Sequence, residues 1–116
     1  MTLVRSIAAS LILASLGFAA TAQIDILSVT FSCEDNTEIP VSYFNATDGS
    51  GAAAMVIDGE LIAMRQAESG SGVRYISEGA EGTYTLRSKG WDALISYQAS
   101  GNTAPEQLLL GNCTSR

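Results

Sequence analysis

The 116-residue sequence contains no histidine, only two cysteines, two prolines and one tryptophan, and a single lysine, Lys89. Each shortage removes chemistry. Without histidine there is no Ser-His-Asp or Cys-His arrangement, and with both cysteines expected to be oxidised the usual zinc and haem ligand sets are gone as well. No metal and no cofactor is expected. The glycine-rich stretch Ser69-Gly70-Ser71-Gly72 runs into a strand pattern, whereas a phosphate cradle needs a strand, a turn and then a helix. Carboxylate pairs such as Glu34/Asp35, Asp58/Glu60 and Glu78/Glu81 sit in or beside turn signals, as solvated surface acids do, which leaves a two-carboxylate glycosidase without a site. A sustained 3.6-residue period is also missing, so the chain offers no amphipathic helix.

What is present begins with an export signal. Arg5, the apolar run Ile7–Ala20 and then Ala20-Thr21-Ala22 form the charged start, hydrophobic stretch and small-x-small cleavage pattern of a signal peptide. Residues 1–22 are therefore set apart, and residues 23–116 are read as one small domain. The apolar run is short for a membrane span, and no cysteine at its end offers a lipid attachment point, so no membrane anchor is expected. Cleavage removes Arg5 and leaves five basic against twelve acidic residues, a net charge of −7. That surface argues against nucleic acid and anionic membranes and favours a basic partner.

A domain of this size buries a limited core and benefits from a covalent staple. Cys33 and Cys113, near the two ends of the mature domain, pair into one disulfide in an oxidising compartment; the alternative is two buried thiols.

Between the cysteines, short alternating segments are separated by turn residues. Ser28–Cys33 places Val29, Phe31 and Cys33 on one face, and Ile39–Phe44 places Val41 and Tyr43 on one face. Ala53–Met64 reads as two strands joined by an Asp58-Gly59 hairpin turn. Further strands are expected at Val73–Ser77, Gly82–Ser88, Trp91–Tyr97 and Glu106–Cys113, with Trp91, Ala93, Ile95 and Tyr97 on one face. The stretch around Gln23–Leu27 reads as a polar linker. About eight short strands with glycine-rich turns point to an all-β fold, a small eight-stranded antiparallel barrel whose closure removes exposed edges and whose interior is filled by side chains.

Two chemical features remain, Ser71 and Lys89. A Ser-Lys dyad is catalytic when the lysine is desolvated and serves as base. The other reading is that both residues project from neighbouring loops toward an acidic site on another protein.

The succession Phe31-Ser32-Cys33, Ile39–Asn45, Ala54–Met64, Ser69–Tyr75, Arg87–Ile95 and Cys113 resembles the bacterial membrane-bound and periplasmic inhibitors of C-type lysozyme, the MliC/PliC family. Its most specific parts are an SGxxY motif, met by Ser71, Gly72 and Tyr75, and a KGxxAxL-like motif, met by Lys89, Gly90 and Ala93. The resemblance implies an eight-stranded barrel that is not an enzyme. It also implies that Ser71, Gly72, Tyr75, Lys89 and Gly90 form a partner-binding site, with the Ser71 loop entering the lysozyme cleft and Lys89 beside it. A hydroxyl that donates to a carboxylate and an ammonium that pairs with one suit the two carboxyl groups of lysozyme. Missing the lipid-attachment cysteine, the chain is similar to the periplasmic branch. The expectation is a periplasmic inhibitor of C-type lysozyme, with a homodimer admitted. The alternative is an envelope barrel that binds another lysozyme class or a cell-wall component.

Overall fold

The computed structural model describes residues 23–101 and 103–116; the expected signal peptide, residues 1–22, lies outside the described residues. The strands are β1 Ile24–Ser32, β2 Glu38–Ala46, β3 Gly51–Ile57, β4 Glu60–Ala67, β5 Val73–Ile76, β6 Gly82–Lys89, β7 Asp92–Ala99 and β8 Gln107–Thr114. Each pairs antiparallel with the next, and β8 returns to β1 to close the barrel. The all-β, eight-stranded barrel expected from the alternation is the fold observed.

Alternation dictates the core. Phe31, Ile39, Val41, Met55, Leu86 and Ile95 come from inward positions of five different strands, and each is at most 2% exposed. Burying side chains of this size contributes about 1.5–3 kcal/mol apiece, the largest favourable term in a domain this small. The β3–β4 turn is Asp58-Gly59 with φ of 51° and 77°, the two positive values that a type I′ hairpin turn requires.

The closure is thin. β1 and β2 are in register over all nine residues of β1, whereas β1 and β8 share a single rung, Ser32 opposite Thr114. Next to that rung lies the Cys33–Cys113 disulfide, which pins the seam covalently. The Asn112 side-chain amide adds a hydrogen bond to Glu34 across the same seam, at 2.6 Å.

Two expectations are corrected. The supposed linker around Gln23–Leu27 is, from Ile24 onward, the first half of β1. Its alternation carried no burial signal because Ile24, Ile26 and Leu27 are all exposed, by 57%, 65% and 57%. Trp91 does not join Ala93 and Ile95 in the core: it sits in the β6–β7 turn, outside the pleat, and is 60% exposed.

Candidate functional site

The register between β5 and β6 assembles the site. Val73 lies opposite Ser88 and Arg74 opposite Arg87, so the preceding Ser71-Gly72 comes to rest against Lys89, the last residue of β6. The β5–β6 connection, which separates the two motifs in sequence, lies at the other end of β6, and its length does not disturb their meeting.

Gly72 shows how closely the two segments approach. Its φ is +69°, and a β-carbon added there would collide with the Ser88 carbonyl oxygen and stand 3.2 Å from the β-carbon of Lys89. Glycine is required on both counts, by dihedral and by space. Gly70 differs: a β-carbon there meets nothing within 4 Å, and its φ is not in the left-handed range. The conformational freedom of glycine is thus needed at Gly72 and not at Gly70. The loop is braced from within by the Ser69 hydroxyl, which donates to the Ser71 carbonyl at 2.8 Å, leaving Ser71 exposed at the tip.

These observations give a paired prediction. Gly72→Ala should cost about 1–3 kcal/mol through strain and collision, visible as a lower thermal midpoint, while Gly70→Ala should melt with the wild type. Equal midpoints for the two variants would contradict this reading of the loop.

Lys89 and Gly90 form the second part. Lys89 pairs across the hairpin with Asp92, and the turn between them is Gly90-Trp91. Gly90 has φ of +59°, the positive value at the first turn position that a type II′ turn demands. Among the described residues Lys89 forms no ion pair, and its side chain is exposed. The ammonium stands in water, so the desolvated base of a Ser-Lys hydrolase is not built here.

Tyr75 stands elsewhere. The residue is 3% exposed and its ring packs on Tyr43 with centroids 5.4 Å apart, so it anchors the loop from inside the barrel. Burial raises the pKa of both tyrosines. The Tyr43 hydroxyl is buried without a well-aligned hydrogen bond, and the nearby Ser88 side chain offsets only part of the effect of burial.

Ser71 and Lys89 line one open depression together with Leu94, Leu108 and Glu34. Arg87, which also lines it, is held by Glu106 at 2.6 Å, and Glu106 accepts a further short hydrogen bond from Ser96. The Arg87 and Ser96 bonds hold the Glu106 carboxyl below its usual pKa. Arg74 lies opposite Arg87, and its Nε is buried without a hydrogen bond.

Trp91 is the residue that sequence reasoning misplaced. An exposed indole follows the Lys89-Gly90 pair directly, and the turn is fixed by the Ser115 backbone N–H donating to the Trp91 carbonyl at 2.8 Å. Glycine beside a two-residue turn was the available signal, since a residue in the turn leaves the alternation of the strand that follows.

The comparisons agree with this architecture. The profile of the MliC family, membrane-bound lysozyme-inhibitor of c-type lysozyme, matches residues 31–104, a span that contains both motifs. The crystal structure of PliC-St, the periplasmic lysozyme inhibitor of C-type lysozyme from Salmonella typhimurium, superposes with a TM-score of 0.63 at 27% identity, over 79% of this chain and 99% of that one. No curated protein sequence matches the chain. With a family profile spanning most of the barrel and a fold shared with a solved inhibitor, the chain belongs to the MliC family of C-type lysozyme inhibitors and is not an enzyme.

Proposed function

We propose that the protein inhibits C-type lysozyme in the periplasm by placing the Ser71 loop in the catalytic cleft with Lys89 beside it. The observation that carries this reading is the β5–β6 register, which sets Ser71-Gly72 against Lys89 at one exposed edge. An exposed hydroxyl and an unpaired ammonium meet the needs of a cleft whose reactive groups are two carboxyls, one protonated and one ionised. Gly72 allows the loop to lie close against β6, and Gly90 turns the chain so that Lys89 ends a strand at the surface. The net charge of −7 after export speeds the encounter with a strongly basic enzyme.

The same reading has the protein exported by residues 1–22, free of a lipid anchor, and self-associating into a homodimer.

The test is lysis of bacterial cell walls by C-type lysozyme in the presence of the exported, processed protein. Inhibition at near-stoichiometric amounts is expected. Unimpeded lysis at micromolar excess, with a folded barrel, would remove the inhibitor reading and favour another envelope ligand.

A further inference from the structure

Beyond the lysozyme site, the barrel leaves one strand edge open. On the side away from β2, β1 makes only the Ser32–Thr114 rung, so the edge from Ile24 to Thr30 has no strand beside it among the described residues. The direction of its backbone groups follows from its two ends. The Gln23 carbonyl accepts from the Thr47 N–H at 3.2 Å, and the Cys33 N–H donates to the Thr37 carbonyl at 2.8 Å, both toward β2. The register between them is unbroken. Odd-numbered residues therefore address β2, and Ile24, Ile26, Ser28 and Thr30 direct their N–H and C=O groups outward.

Side chains add to the exposure. Ile24 and Ile26 stand on the outer face, Leu27 shares the inward parity of Val29 and Phe31, and all three are more than half exposed. Natural edges are guarded by lysine, proline, a bulge or a covering loop. From Ile24 to Phe31 this edge has no lysine, no proline and no bulge, and its one guard is the single charge of Asp25.

We propose that this edge pairs with the same edge of a second copy, giving an antiparallel homodimer about a two-fold axis at Ile26. This interface rests on the homodimer reading and is independent of lysozyme binding. Pairing the outward-directed residues sets Ile26 opposite Ile26 of the second copy and Ile24 opposite Ser28. Asp25, the only charge in the segment, then faces Leu27 and never its own counterpart. In a chain of net charge −7, such a contact lets two copies approach without opposing acids. A basic partner would find a single acid on this edge, which argues for a like chain. The two-fold operator makes the contact closed and isologous, limited to two chains. With only a few residues per strand, the interface is small and the dimer weak. No residue of β1 lines the depression bordered by Ser71 and Lys89, so a dimer leaves that site open.

Sedimentation velocity on the exported, processed protein, from low to several hundred micromolar, tests the proposal. Wild type should shift from monomer toward dimer as concentration rises. Ile26→Pro should remain monomeric throughout: its N–H points away from β2, so proline removes the intermolecular bond and none within the barrel. Ile26→Lys should behave alike, and Leu61→Lys, at a leucine 73% exposed on β4, should dimerise as wild type does. Thermal melts check that every variant is folded. The proposal is overturned if wild type is monomeric at every concentration, if the folded Ile26 variants still dimerise, or if Leu61→Lys alone abolishes dimerisation. Loss of lysozyme binding by Ile26→Pro would assign the edge to lysozyme and overturn it too. Inhibition per chain, measured in parallel, should be unchanged in Ile26→Pro; a wild type that dimerises without inhibiting would sink the lysozyme reading and leave this one standing.

Discussion

Replacing Lys89 by alanine is expected to weaken lysozyme inhibition at least thirtyfold while leaving the thermal midpoint where it was. The size follows from the role given to the side chain. An ammonium that pairs with a carboxylate inside a cleft contributes through a desolvated, hydrogen-bonded contact, and truncating one partner of such a pair costs about 2 kcal/mol or more. The unchanged midpoint follows from the structure, since Lys89 is exposed and forms no ion pair among the described residues. Ser71→Ala removes a neutral hydroxyl and should cost about tenfold, in line with a single hydrogen bond to a charged acceptor at about 1.5 kcal/mol. The measurement is an inhibition constant from cell-wall lysis, with a melt on each variant. Two folded variants that inhibit as wild type does would show that the Ser71–Lys89 edge is not the inhibitory surface.

The second large effect concerns the seam. Cys33 and Cys113 are separated by 80 positions, and cross-linking a loop of that length stabilises by about 4–5 kcal/mol in the chain-entropy treatment. In this barrel the bond has a structural task as well, because Ser32–Thr114 is the one rung joining β1 to β8. A Cys33→Ala, Cys113→Ala double variant should therefore melt on the order of 20 °C below the oxidised wild type, since each kcal/mol moves a domain of this size by about 4–8 °C. Calorimetry of the two proteins checks this. A drop of only a few degrees would mean that the strand ladder and core close the barrel without the staple.

Much of this architecture is legible in the sequence because alternation is a local signal. Val41 and Tyr43 on one face and the Asp58-Gly59 turn each declare themselves within a few residues, the two cysteines pair because they are the only two, and the barrel follows from counting strand segments. The meeting of Ser71 with Lys89 is different in kind: it depends on β5–β6 register, and the family resemblance rather than any local pattern brought the two residues together. The start of β1 reads as linker because a strand exposed on both faces buries nothing and its isoleucines flank Asp25. Trp91 continues the alternation of β7 in the sequence but lies one residue inside a turn, where side chains no longer follow the pleat. The Arg87–Glu106 bond joins residues 19 positions apart across a loop, and no local rule chooses Glu106 over the other acids as the partner of Arg87 rather than Arg74.

The central claim is that the Ser71 loop occupies the lysozyme cleft. The most direct measurement is competition on C-type lysozyme between this protein and a chito-oligosaccharide that fills the same cleft, followed by calorimetric titration. Occupation of the cleft requires mutually exclusive binding, with the apparent affinity of the protein falling in proportion to saccharide concentration. Undiminished affinity on saccharide-saturated lysozyme, in a ternary complex, would place the contact outside the cleft and contradict the account.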